Sequence, residues 1–385
     1  MSRTVLILGS GLAGYGVARE FRKLDTEAEL LILSRDSADS YSKPMLSNAF
    51  SGKRSAETLV MRSREKMAAE LNASIHARSA VSRIDPVART VEFSGEGESV
   101  SWDVLVLALG ADPIRLPLDG DAAQEVLSVN DLDDFARYAA ALEGAKKVVL
   151  LGGGLIGCEF ANDLLARDIQ PLVVELGGHP LGRLLPEEAA GFFRSRLEAA
   201  GVEFRLGVAA QGVDRQGEGY RVRLADGSQL DADLVVSCVG LRPRTELAAA
   251  MGCEVVRGIV TDRFLQSSLP NVYAVGDCAE IAGLNLPFVM PIMHQSRALA
   301  ATLAGTPTEL NYPAMPVSVK TPACPAVVCP PPQGAEGSWK LEQDAEGVTA
   351  RFEAADGALL GFALLGAATA RRQELAAQAP KPFAS

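Results

Sequence analysis

Thr4-Val-Leu-Ile-Leu-Gly-Ser-Gly-Leu-Ala-Gly14 and Lys147-Val-Val-Leu-Leu-Gly-Gly-Gly-Leu-Ile-Gly157 are two copies of one arrangement. Each starts with a short apolar run that reads as a strand buried on both faces, and a G-x-G-x-x-G turn follows at once. A helical pattern then opens, Tyr15 to Leu24 in the first copy and Cys158 to Arg167 in the second. A second strand-like run comes next, Glu29 to Leu33 and Pro171 to Val174. The glycines have separate tasks. Gly9 and Gly152 permit the tight turn, Gly11 and Gly154 let the backbone approach a pyrophosphate, and Gly14 and Gly157 let the helix pack close to the strand. The helix N-terminus offers unpaired N–H groups to the anion. Such a turn alone is weak evidence, because glycine turns also serve purely structural ends. Here the strand before, the helix after and the second strand beyond point to two nucleotide-binding units, with Ser10 and Leu12 joining the glycines of the first.

The ribose-binding acid expected about 20 residues on separates the two units. In the second copy it is present as Glu175, at the end of Val173-Val-Glu175. Its carboxylate can accept from both ribose hydroxyls and would repel a 2′-phosphate, which favours NADH over NADPH. Arg183 is the nearby group able to serve a phosphate instead. In the first copy the same position is Ser34, followed by Arg35 and Asp36. A serine can hold a ribose hydroxyl and an arginine plane can stack on adenine, so Ser34 and Arg35 are expected contacts despite the missing acid.

Composition bounds the rest. The chain has 385 residues, 48% hydrophobic and 22% charged, enough for a large core and two to four domains. Its 37 basic and 48 acidic side chains give −11, which argues against broad nucleic-acid binding. Three histidines, His76, His179 and His294, lie far apart in no ligand spacing, so no metal site is expected. The longest uncharged apolar stretch, Ala358 to Ala370, is broken by Gly361 and Gly366 and falls short of the roughly 20 residues a bilayer span needs. With no signal sequence visible, a cytoplasmic protein without membrane insertion is expected. Apolar runs ending at Gly110 and Gly240 read as further buried strands. Segments around Val202–Leu206, Tyr220–Leu224 and Gln229–Ala232 read as antiparallel excursions, with Asp226-Gly227 as a hairpin turn. Past residue 312, prolines crowd together and a helix-like Ala368 to Ala377 follows, the mark of a small separate domain.

Taken in order, Gly9–Gly14, Leu109-Gly110-Ala111, Gly157-Cys-Glu-Phe-Ala161, Gly240-Leu-Arg-Pro243 and Asn271-Val-Tyr-Ala-Val-Gly-Asp277-Cys-Ala resemble the two-dinucleotide flavoprotein reductases. The resemblance covers residues 1 to about 311. It implies an α/β fold with two Rossmann-like dinucleotide-binding domains, for FAD and NADH, plus a small α+β C-terminal domain. The implied boundaries are 1–110 and 232–311 for a split FAD domain, 111–231 for the NADH domain and 312–385 for the last. It also implies that Asp277 bonds the FAD ribityl chain, that a helix starting near Pro291–His294 aims its positive end at the flavin, and that Glu159 lies near the flavin–nicotinamide junction. Gly110, Val81 and Val289 are further flavin contacts by the same resemblance.

Where the electrons go next is read from missing cysteines. Disulfide reductases of this kind carry CxxxxC where this chain has Tyr41-Ser-Lys-Pro-Met-Leu-Ser47, and no CxxC occurs. Cys324-Pro-Ala-Val-Val-Cys329 has the spacing, but residues five apart on a strand face opposite ways, so a buried strand is the better reading. Without a thiol relay, electrons must leave the flavin for an external acceptor. Ser40-Tyr41-Ser-Lys43-Pro44-Met-Leu46-Ser47, with Val319-Lys320-Thr-Pro322, resembles the rubredoxin–NAD reductases of alkane-hydroxylating systems. That implies Lys43 and Lys320 at the flavin, where a cation stabilises reduced-flavin charge, with Glu159 the third catalytic residue. The implied partner is rubredoxin, a small iron protein; the alternative is a [2Fe–2S] ferredoxin of a dioxygenase or P450 system. The short C-terminal segment is consistent with a monomer or weak dimer. Lys53, Arg54, Arg62, Arg64 and Lys66 form the most basic stretch, interrupted by Glu57 and Glu65.

Overall fold

The computed structural model describes residues 3–94 and 99–383. The chain folds as two compact units, Met1–Lys43 with Thr58–Asp112 and Leu241–Tyr312, and Pro44–Glu57 with Pro113–Gly240 and Pro313–Ser385.

In the first unit the opening apolar run becomes the central strand Thr4–Leu8 of a five-stranded parallel sheet. Glu29–Leu33 and then Ser74–His76 lie to one side of it, Val104–Leu107 and then Val272–Ala274 to the other. Val5, Leu6 and Ile7 are fully buried, as a strand covered on both faces requires. Gly9 turns the chain at φ +113°, and the helix Leu12–Arg22 follows. A methyl on Gly14 would lie 1.9 Å from the Gly9 carbonyl oxygen, so the third glycine of the motif is the one that lets helix and turn meet. The strands Val81–Asp85, Thr90–Phe93 and Ser99–Ser101 form a small antiparallel sheet.

The second unit repeats the plan. Its parallel sheet runs Glu203–Leu206, Gln170–Glu175, Lys147–Leu151, Leu234–Ser237. Gly152 turns at φ +107°, and a methyl on Gly157 would sit 1.9 Å from the Gly152 carbonyl oxygen. The stretch Val202–Leu206, expected as an antiparallel excursion, is instead the parallel edge strand Glu203–Leu206. Its alternation, with Phe204 buried and Arg205 exposed, marks a strand with one covered face and carries no information on direction. The antiparallel ribbon is made by Ala210–Gln216, Gly219–Leu224 and Gln229–Ala232. Its second turn is at Asp226-Gly227, closed by Leu224 N–H donating to the Ser228 carbonyl at 2.9 Å.

The last segment builds an antiparallel sheet in the order Val317–Val319, Ala326–Cys329, Leu359–Gly366, Gly347–Glu353, Ser338–Gln343. The apolar stretch around residues 358–366 is one of its inner strands, with Phe362 and Leu364 fully buried against Leu375. The expected helix over 368–377 divides into a 3-10 turn, Ala367–Arg371, and a helix, Arg372–Gln378. Among the described residues no helix is long and apolar enough to cross a membrane.

Because the atom blocking a methyl at Gly157 is backbone, Gly157→Ala should destabilise the protein by about 1–3 kcal/mol, the usual cost of overpacking. A lowered urea midpoint checks this; an unchanged midpoint would show that the turn can shift.

Candidate functional site

In the first unit the glycine turn leaves an open mouth. A methyl on Gly11 would meet nothing within 4 Å, and Gly11 caps the helix with no side chain to occupy its free N–H groups. Ser34 is 3% exposed and its hydroxyl is already engaged, lying 2.7 Å from the Ser10 hydroxyl and donating to Asp36 Oδ1 at 2.6 Å. Ser10 Oγ also reaches Asp36 Oδ1, at 3.2 Å, and Ala38 N–H donates to it at 2.9 Å. The carboxylate behind this turn is therefore Asp36, two positions past Ser34. Arg35 is exposed and reaches Asp112 Oδ1 at 3.3 Å, while Arg244 donates to the same oxygen from Nε at 2.8 Å and Nη2 at 2.5 Å. The Arg244 guanidinium holds the Asp112 carboxyl below the usual range, with Arg35 adding to the effect. Asp112 and Arg244 were not legible as a pair, being 132 positions apart.

Asp277 follows the short strand Val272–Ala274, and Lys43 Nζ stands 4.0 Å from its Oδ2. Gly276 N–H donates to Gln295 Oε1 at 2.7 Å, and Gln295 donates to the Tyr312 hydroxyl at 2.8 Å, which ties this turn to the helix Val289–Leu303. Val289 opens that helix and is 38% exposed; Val81 is half-buried at the start of its strand; Gly110 turns at φ +71° after the strand Val104–Leu107.

In the second unit a methyl on Gly154 would likewise meet nothing within 4 Å. Glu175 accepts from Gly153 N–H through Oε2 at 2.5 Å and from Gly177 N–H through Oε1 at 2.8 Å, which fixes its carboxylate at the turn. Both turns thus fit a dinucleotide, each with an open cradle at the second glycine, helix N–H groups beside it and an acid near the end of the second strand.

The helix Leu155–Leu164 buries three polar side chains, Glu159, Asn162 and Asp163. Glu159 is 2% exposed. Its carboxylate accepts from the Ser47 hydroxyl at 2.5 Å and from Lys320 N–H at 2.9 Å, and it forms an ion pair with Lys320 Nζ. One turn on, Asn162 Oδ1 accepts from Ala323 N–H at 3.0 Å. Asp163, 1% exposed, accepts from Phe50 N–H at 2.9 Å, Ser51 N–H at 2.8 Å and the Ser51 hydroxyl at 2.5 Å. Burial pushes the Asp163 carboxyl upward against these bonds. Lys43 and Lys320, singled out together in the sequence, therefore have different carboxylate partners, Asp277 and Glu159. Asn162 and Asp163 were missed; the signal was a polar trio on an otherwise apolar helix.

All six cysteines are free. Burial pushes Cys324 and Cys329 up to about 11 each, and Cys238 up to about 12. Cys329 ends the strand Ala326–Cys329 as the spacing argument expects. No cluster of three or more metal-ligating side chains occurs among the described residues.

A family model described as pyridine nucleotide-disulphide oxidoreductase matches residues 3–302. The chain belongs to this family. A second model, described as rubredoxin binding C-terminal domain, matches residues 309–379, the span of the antiparallel sheet and its helix. A rubredoxin-NAD(+) reductase of Alcanivorax borkumensis is 46% identical over 377 residues, covering 98% of both chains. One from Acinetobacter baylyi is 44% identical, covering 96% of both. Among solved structures, the ferredoxin reductase for the CYP199A2 system from Rhodopseudomonas palustris superposes with a TM-score of 0.88 at 27% identity, covering 99% of this chain and 96% of that one. In this pyridine nucleotide-disulphide oxidoreductase the six cysteines are free, and burial pushes each thiol above its ordinary value.

Gly11→Ala should leave folding intact, because its methyl has room, yet weaken flavin binding at least tenfold by filling the cradle. Apoprotein circular dichroism and flavin fluorescence titration measure the two separately. Lys320→Met leaves the buried Glu159 carboxylate without its cation, a loss of about 3–5 kcal/mol. Adding Glu159→Gln to that variant should recover most of the lost urea midpoint, whereas additive losses would show the two groups to be independent.

Proposed function

We propose that the protein is an FAD-dependent NADH:rubredoxin reductase. The observation that carries this reading is the rubredoxin-binding match over residues 309–379, in a chain whose Lys320, from the same segment, is paired with Glu159 on the helix of the second glycine turn. The near full-length relatives named rubredoxin-NAD(+) reductase support it.

Bound FAD supplies the conversion of a two-electron hydride donor into one-electron transfers. The chain's own residues hold and orient. Gly9, Ser10, Gly11, Leu12 and Gly14 cradle the flavin dinucleotide, with Arg35, Val81, Gly110, Asp277 and Val289 as further contacts, while the buried Ser34, its hydroxyl taken by Ser10 and Asp36, braces the Asp36 carboxylate instead of touching the cofactor. Gly152, Gly154 and Gly157 take the NADH pyrophosphate, and Glu175 accepts from the ribose hydroxyls. Lys43 and Lys320 supply positive charge where reduced-flavin charge develops, and Glu159 fixes where the Lys320 ammonium stands. On this reading the FAD domain is 1–110 with about 241–311 and the rubredoxin-binding domain 312–385; the NADH domain runs from 111 to about 240 rather than ending at 231, because the strand Leu234–Ser237 pairs with Lys147–Leu151 in its sheet. The electrons serve an alkane hydroxylase-type monooxygenase, in the cytoplasm, with the protein a monomer or weak dimer. The ferredoxin-reductase likeness favours a second reading, in which the acceptor is a [2Fe–2S] protein.

The test is anaerobic and optical. NADH should bleach the flavin band within seconds, and the reduced protein should then reduce a rubredoxin faster than a [2Fe–2S] ferredoxin. Preference for the ferredoxin selects the second reading, and failure of NADH to bleach the flavin overturns both.

A further inference from the structure

The basic stretch noted in the sequence divides between the two units. Arg62, Arg64 and Lys66 belong to the first, where Arg62 faces Glu70 and Arg64 faces Glu65. Lys53 and Arg54 belong to the second, on the crossing segment Pro44–Glu57. Residues 51 to 55 are all exposed, and neither the Lys53 nor the Arg54 side chain joins an ion pair among the described residues.

This turn is held rather than loose. Its base is fastened by the buried Asp163 carboxylate, which takes three donors from Phe50 and Ser51. The Phe50 ring packs on Phe135 and Tyr138 with centroids 5.5 and 5.9 Å away, and the Arg167 guanidinium lies 5.0 Å over its centroid. Lys53 N–H donates to the Phe50 carbonyl at 2.8 Å and Arg54 N–H to the Ala49 carbonyl at 2.9 Å, with Lys53 at φ +52°. Burying a carboxylate to fix a surface turn costs desolvation energy that an apolar anchor would not. What that anchor holds in place is the backbone from which two cationic side chains project into solvent. Beside them is a recess of about 470 Å³, with Phe50, Ala136 and Ala139 as its apolar part and Arg167 at its side. Two carboxylates face it, Glu143, which is paired with Arg167 at 2.7 Å, and Glu57.

We infer that the anchored turn bearing Lys53 and Arg54, with its recess, is a docking surface for the acidic face of the small iron-protein acceptor. The inference rests on the proposed function and adds a second contact area to the C-terminal domain. A chain of −11 repels an acidic partner at long range, so productive encounter needs a local patch of the opposite sign, and a turn with a fixed backbone supplies it without ordering of the main chain. The apolar floor gives the docked face a place to exclude water.

The test uses the intact flavoprotein. Lys53→Glu with Arg54→Glu should raise the KM for a rubredoxin roughly fivefold or more and flatten the dependence of kcat/KM on ionic strength. The NADH:ferricyanide rate should not change. As a control, Lys146→Glu with Lys381→Glu carries the same change of charge on two other exposed lysines and should leave the rubredoxin KM near the parent value. Equal KM and equal salt dependence in the turn variant and the parent would overturn the inference, as would a control that reproduces the effect, since net charge would then be the cause. The parent reports the acceptor separately. If it reduces only a [2Fe–2S] ferredoxin, the rubredoxin reading fails, and the same variant-to-parent comparison on that ferredoxin decides the docking surface. A parent that reduces neither protein overturns both.

Discussion

A carboxylate removed from water needs its charge met by donors and a cation, and in this protein that demand falls on Glu159. Three groups answer it: the Ser47 hydroxyl, the Lys320 amide and the Lys320 ammonium. None comes from the helix that carries Glu159, and the two residues that supply them lie 112 and 161 positions away. The adjoining polar positions extend the same demand, Asn162 to Ala323 and Asp163 to Phe50 and Ser51. Positions i, i+3 and i+4 share one helix face, so a single face of the helix after the second glycine turn is satisfied only when the 44–57 segment and the C-terminal segment are both in register. Apolar packing of the same area would be at least as stable. It would not fix which atom stands where.

The glycines of each turn divide their labour. At Gly14 and Gly157 there is no room for a side chain because protein fills the space, while at Gly11 and Gly154 the space is open. The first pair is needed for the chain to fold as it does, the second for what the turns can admit. The engagement of Glu175 with Gly153 and Gly177 N–H groups has a related effect, since it sets the acid's orientation through backbone that the turn itself defines.

How much of this could be read beforehand depended on range. The two strand–turn–helix–strand units were legible because each is local: period, glycine spacing and the second strand all fall within about thirty residues. Strand direction was not, and Glu203–Leu206 shows why, since alternation reports a half-covered face whether the neighbour runs parallel or not. Glu159, Lys43 and Lys320 stood out as residues, but their pairing did not, because which lysine meets Glu159 is settled by chain crossings far apart in sequence. Ser34 was legible as a departure from the usual acid. That Asp36 stands behind it, bonded to Ser34 and Ser10 together, depends on a turn conformation that spacing does not encode.

The buried thiols have a bearing on durability. A flavin that hands over single electrons can leak them to oxygen, and the peroxide that results attacks thiolates far faster than thiols. Here burial holds the sulfurs in the unreactive form, with Cys278 at about 11 and Cys238 at about 12. Cys158 and Cys278 adjoin Glu159 and Asp277 in sequence, yet both are buried, so the sulfurs nearest these residues are shielded from oxidation to sulfinic acid. Sending electrons outward through the flavin rather than through a cysteine pair spares the chain the exposed thiolate that peroxide attacks first.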